Sequence, residues 1–192
     1  MDVVALLAHS DDELMCAGTL SRMVDRGHNV RLVIGCDERH AELDASATAI
    51  GCKVERLDVT EWDFAWSKRW VEHIEPVVGR PDLLISHRPN DDNTSHGHLG
   101  NIARTIARKN TTSLWEIDQT WPGGLTDHRP PNLWVDISDQ TRRKAAAVSA
   151  YPSQLQKYTG LGLALAQRDA ANGWPLGVSA AEGFTVVKAV WL

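Results

Sequence analysis

The chain has 192 residues, 43% of them hydrophobic and 23% charged, an ordinary globular composition that fits one domain, residues 1–192, around a single sizeable core. Its formal net charge of −5, without a long basic stripe, argues against holding nucleic acid by counterion release. Three cysteines with no CxxC pair argue against a disulfide framework or a thiolate zinc knuckle and for a reducing, cytoplasmic setting.

Residues 3–8 are a short continuous apolar run, as expected of a strand buried on both faces. The run stops at His9 and no basic residue precedes it, so it is too short for a signal peptide or a membrane span. Ser10-Asp11-Asp12-Glu13 then reads as a capping box, with Ser10 at the N-cap. Leu14, Ala17, Leu20, Met23 and Val24 share one helical face, and Gly27 stands where a C-cap glycine ends the helix. A second strand is expected over residues 30–34, a helix over 40–50 closed by Gly51, and a third strand over 52–57. Residues 60–78 hold a tryptophan-rich helical segment ending near Pro76. A fourth strand, residues 82–86, runs into a polar loop over 88–96 and a helix over 99–107. Beyond Lys109 the pattern loosens, with strand-like pieces at 133–137 and 184–191 flanking a helix over 141–150. This alternation predicts an α/β, Rossmann-like three-layer sandwich: a mostly parallel sheet with helices on both faces.

In such sheets ligands bind where strands end and loops turn into helices. Two of these loops are rich in metal-ligating residue types: residues 8–13 (AHSDDE) after strand one, and residues 90–98 (NDDNTSHGH) after strand four. Zinc favours imidazole nitrogen and carboxylate oxygen, and a catalytic zinc keeps one position open. His9 and Asp12, joined by His96 or His98 from the second loop, would supply three ligands and leave Asp11 alongside as a proton acceptor. Each signal also has a plainer explanation, since acids in a first helical turn are favoured by the helix dipole alone. The pair of loops is the stronger sign.

The same residues resemble the PIG-L (LmbE-like) zinc deacetylases. That family opens with a strand followed by AHPDDE, which Ala8-His9-Ser10-Asp11-Asp12-Glu13 matches at all but one place. Further matches are Cys16-Ala17-Gly18-Thr19-Leu20, Gly27-His28-Asn29-Val30, Arg39 with Glu42, Val135-Asp136-Ile137, Ser153-Gln154 and Ala181-Glu182-Gly183-Phe184. The family's second loop reads D-x-H-P-D-H before a leucine-glycine pair. Aligning on Leu99-Gly100 puts its last histidine on His96, with Asn93 at its first histidine and Ser95 at its aspartate.

The resemblance implies one zinc per chain, or another divalent transition metal, held by His9, Asp12 and His96. It implies Asp11 as general base, Arg39 as a substrate contact, and an acetyl or short acyl group removed from the amide nitrogen of an N-acylated amino sugar or conjugate. Asn93 can donate a hydrogen bond to an oxyanion but cannot deliver a proton near neutral pH. Either Asp11 hands on the proton it collected, or a neighbour such as His98, on the substrate side, or a water chain delivers one. The partner implied is a small molecule, and a homo-oligomer is left open. Two other readings stand beside this one: a zinc-retaining binding module that has lost hydrolysis, and a metal-dependent phosphoesterase.

Overall fold

The computed structural model describes residues 1–36, 38–57, 59, 65–118 and 130–190. Its strands are β1 (Asp2–His9), β2 (Asn29–Cys36), β3 (Lys53–Arg56), β4 (Leu83–Ser86), β5 (Ser113–Ile117), β6 (Leu133–Asp136) and β7 (Ala181–Lys188). Its helices are α1 (Ala17–Asp25), α2 (His40–Ile50), α3 (Lys68–Val78), α4 (Thr94–Lys109), α5 (Thr141–Ser149), α6 (Pro152–Lys157) and α7 (Leu161–Gly173). The strands form one sheet in the order β3-β2-β1-β4-β5-β7-β6, and only β7 runs antiparallel to its neighbours.

β1 lies in the interior of the sheet because both its faces are apolar. Val3, Ala5 and Leu7 join the core under α1, α2, α5 and α7, and Val4, Leu6 and Ala8 join the core under α3 and α4. The period of two along a strand makes that split, and each such leucine, sealed from water, contributes roughly 1.5–3 kcal/mol. This is the three-layer α/β sandwich. Chain order reverses between β1 and β4, which are hydrogen-bonded neighbours. Their C-terminal ends therefore flank the crevice where open α/β sheets bind ligands.

Several boundaries depart from expectation for local reasons. Ser10 does not cap a helix through its side chain; Asp12–Met15 form a 3-10 turn, and α1 starts only at Ala17. Glu13 does not reach back to Ser10 either; its Oε2 accepts from the Asp11 N–H at 3.0 Å. At the other end Gly27, at φ 78°, closes α1 as anticipated, with its N–H on Val24 O at 2.9 Å. α4 begins at Thr94, five residues before the expected start, because Asn93 Oδ1 caps it by accepting from Ser95 N (2.9 Å) and His96 N (3.4 Å).

β5, α6 and α7 are additions to the sequence reading. In β5 the buried Glu116 breaks the apolar run and is neutralised by Arg104 Nε at 2.7 Å. In α7 the alternation Leu161, Leu163, Leu165 imitates a strand, and Leu163 is exposed. Part of the tryptophan-rich segment, residues 60–64, and His128 and Trp191 lie outside the described residues.

Candidate metal and catalytic site

β1 delivers His9 at its C-terminal end, and the chain then turns sharply. Asp11, at φ 107°, is the one non-glycine residue with positive φ among the described residues. That conformation costs on the order of 1–3 kcal/mol and persists only where the surroundings impose it. Two carboxylates impose it here. Asp12 Oδ2 accepts from the His9 N–H at 2.8 Å, and Glu13 Oε2 takes the Asp11 N–H. Glu13 is fully buried, and its Oε1 accepts from Ser46 Oγ (2.6 Å) and Tyr151 Oη (2.7 Å). Burial pushes its carboxyl up against the pull of those two hydroxyls. The acidic run of the first loop is thus divided: Glu13 holds the turn from below, while Asp11 and Asp12 face the crevice.

His9 Nδ1 lies 3.1 Å from His96 Nε2 and 3.5 Å from Asp12 Oδ2, and His96 Nε2 lies 3.4 Å from Asp12 Oδ1. Four-coordinate zinc with bonds of about 2.0–2.1 Å spaces its ligand atoms about 3.3 Å apart. Two imidazole nitrogens and a carboxylate at these separations fit such an ion. His9 keeps 18% of its side chain exposed, which leaves one side of the cluster open. Burial alone would raise the Asp12 carboxyl, but His96 and His87 outweigh it and hold it well below the usual carboxylate range.

The ring of His96 is oriented from its other nitrogen: Nδ1 stands 3.1 Å from Asp91 Oδ1. A carboxylate there takes the Nδ1 proton and turns the Nε2 lone pair toward His9 and Asp12, the usual support behind a metal-ligating histidine. The same Asp91 Oδ1 accepts from the Asn93 N–H at 2.9 Å, so the turn before α4 and the ring are held together.

His87, which lies between the two ligand-rich loops of the sequence, is completely buried beside this cluster. Its ring stacks on His96 with centroids 4.2 Å apart and planes 8° from parallel. Its Nε2 accepts from the Ala8 N–H at 2.9 Å and lies 3.3 Å from Asp12 Oδ2. Burial first, and the charge of His96 second, lower its pKa and favour the neutral ring. With Asp91 and His96 it forms a second group whose donor atoms also lie within 4.8 Å of one another. Both groups need His96, and the hydrogen bond at its Nδ1 favours the one with His9 and Asp12. The one signal in the sequence was position: His87 directly follows β4, as His9 ends β1.

Arg39 precedes α2, donates from Nη1 to Ser10 O at 3.0 Å, and stands 3.8 Å from Asp11 Oδ2. Gln154 of α6 lies between them. With its amide turned to satisfy both ends, it donates to Asp11 Oδ2 at 3.1 Å and accepts from Arg39 Nε at 2.7 Å and Nη2 at 3.1 Å. Asp11 is only 7% exposed. Burial, then the charge of Asp12, pushes its carboxyl from 3.8 up to about 8, with Arg39 pulling the other way.

The structure therefore brings together His9, Asp12 and His96, with Asp11 and Arg39 alongside. Asn93 sits at the mouth of α4 with its Oδ1 committed to the helix cap, leaving its NH2 as the available donor. His98, half-buried, is two residues further along α4, roughly 200° around the helix from His96. It belongs to neither donor group. The remaining family-like segments are structural. Glu182 accepts from Gly18 N (3.0 Å) and Thr19 N (2.7 Å) at the start of α1, and Asp136 Oδ1 accepts from Ser138 N (2.9 Å) and Oγ (2.7 Å). Gly100 lets α4 approach the loop after β4, since a Cβ there would meet Arg88 C and His87 O at 2.7 Å.

An α/β sandwich with a cluster of metal-ligating side chains at its switch point is the class these features define. Solved structures share the fold over most or all of their length. A conserved protein from Thermus thermophilus matches with a TM-score of 0.81 at 21% identity, over 100% of this chain and 97% of its own. The 4-carboxy-2-hydroxymuconate hydratase from Pseudomonas putida matches with a TM-score of 0.80 at 18% identity, over 100% and 98%. The N,N′-diacetylchitobiose deacetylase from Pyrococcus horikoshii matches with a TM-score of 0.71 at 19% identity, over 97% and 83%. The same fold thus carries a deacetylase and a hydratase. No protein-family model matches the chain. No helix among the described residues is long and apolar enough to cross a membrane.

Proposed function

We propose that this chain is a zinc-dependent hydrolase that removes an acetyl or short acyl group from the nitrogen of an acylated amino sugar or sugar conjugate. One observation carries the reading: two imidazoles and a carboxylate converge from the ends of β1 and β4, beside a second, strained and buried carboxyl. His9, Asp12 and His96 would hold a zinc ion, which would supply Lewis acidity for water activation and for polarising the acyl carbonyl. Asp11 accepts the proton of the attacking water. With a cation beside it Asp11 starts as the carboxylate, and its buried position then favours handing the proton it has taken to the departing amine. This assigns both proton transfers to Asp11, and neither to Asn93 nor His98. The Asn93 NH2 would donate to the developing oxyanion. Arg39, braced by Gln154, offers its guanidinium to the substrate and keeps Asp11 oriented. The three cysteines are free thiols, which suits the reducing interior of a cell.

A second reading is water addition to a conjugated double bond, favoured by the full-length likeness to the 4-carboxy-2-hydroxymuconate hydratase. The experiment incubates zinc-loaded protein with a panel of N-acetylated sugars and a panel of unsaturated carboxylates. The first panel is scored for free amine and acetate, the second for loss of conjugation in the ultraviolet. Amine and acetate released in equal amounts, abolished by a chelator and by Asp11→Ala, is the expected outcome. Loss of conjugation without any amine release would replace the hydrolase by the hydratase.

A further inference from the structure

Helices α5, α6 and α7 border a cavity of about 330 Å³ that shares no residue with the cluster of His9, Asp12 and His96. That volume is at the lower end for small-molecule sites, which run from about 300 to 1,000 Å³. Ala145, Val148, Leu155, Leu165 and Ala166 give it apolar walls.

Lys144 and Asp169 line the same cavity, and both are buried. Lys144 Nζ donates to Asp169 Oδ2 and to Glu182 Oε1, each at 2.7 Å. Glu182 is also occupied by the N–H groups of Gly18 and Thr19. Asp169 Oδ1 is different. It is shut off from bulk water, and no donor among the described residues reaches it at hydrogen-bond distance. Arg168 Nη2 stands 3.9 Å from it, beyond hydrogen-bond distance, and Arg168 Nη1 is engaged with Asp118 O. Burial pushes the Asp169 carboxyl up, against the pull of Lys144. A buried acceptor without a donor is an uncommon feature that calls for an explanation. Carboxylate torsions are broad, so Oδ1 can swing to a donor on the cavity side.

We propose that this cavity is a second small-molecule site, and that it takes a compact aliphatic amine or alcohol. The body lies against Val148, Leu155 and Leu165, and the head donates to Asp169. An anionic head is disfavoured, because the Lys144 ammonium is already shared between Asp169 and Glu182.

The test follows the methyl signals of Val148, Leu155 and Leu165 by NMR while the whole chain is titrated with hexylamine, 1-hexanol or hexanoate. Hexylamine and 1-hexanol should give saturable shifts at these methyls. Hexanoate, with the same body and an acceptor-only head, should bind at least about tenfold more weakly. Ala166→Phe, at the solvent side of the cavity, should weaken hexylamine and 1-hexanol binding by at least about tenfold with its unfolding midpoint preserved. Ala145→Phe gives the same readout from the opposite wall if Ala166→Phe fails to fold. Absent saturation, equal binding of hexanoate, or undiminished binding by a folded cavity-filled variant overturns the proposal.

Discussion

Asp11→Asn tests whether the first loop stores the stress its geometry implies. In the metal-free protein the Asp11 carboxyl titrates at about 8, against 3.8 for an ordinary aspartate. Below pH 3.8 both folded and unfolded chains carry the proton and the site costs nothing. Between 3.8 and about 8 the unfolded chain releases the proton and the folded chain keeps it. Wild-type stability then falls as pH rises, by about 1.4 kcal/mol per pH unit from this group. Asparagine has the same shape, tolerates positive φ better and has no charge to bury. The advantage of the variant should therefore grow between pH 5 and pH 8 by on the order of 4 kcal/mol at most, with neighbouring acids sharing some of that change. For a chain of this length 1 kcal/mol moves the midpoint by roughly 2–4 °C.

The assay is thermal and urea unfolding of both proteins at pH 5, 6, 7 and 8 in the presence of a chelator, read as the difference between them. Zinc added to the wild type should remove most of its pH slope, because a cation beside Asp11 favours the charged form. A difference that stays flat with pH, or a wild type more stable than the variant at pH 8, refutes the argument that burial and Asp12 stress this carboxyl. The variant should also lose turnover, the usual exchange when a strained functional group is relaxed.

His96→Ala should abolish zinc binding, so the stabilisation of about 2.7 kcal/mol expected at a hundredfold excess over Kd disappears from a thermal-shift titration. Tyr151→Phe removes a 2.7 Å hydrogen bond to the fully buried Glu13 and should cost about 1–3 kcal/mol in urea unfolding. Gly100→Ala would push a methyl against the backbone of His87 and Arg88. Isothermal titration should show zinc binding roughly 10–100-fold weaker, because His87 is stacked on His96. Intact zinc affinity in that variant would mean that His87 merely fills space.

By itself the sequence determined the central parallel strands, α1 with its glycine stop, α2, and the first ligand loop. Each of these is written in neighbouring residues: an apolar run, a helical period, a glycine past the last turn, His9 and Asp12 three positions apart. It also carried both loops of the candidate cluster, but it left His96 and His98 to be separated by resemblance to other sequences. The tertiary structure brings His96, and not His98, beside His9 and Asp12. His9 and His96 are 87 positions apart, and their approach depends on β1 pairing with β4 and on Asn93 starting α4 early. It alone revealed His87 behind the cluster, Glu13 under Tyr151 138 positions away, and Gln154 between Asp11 and Arg39. Such contacts leave no local period or spacing, because a buried polar side chain is stabilised by partners the fold brings in, not by its neighbours along the chain.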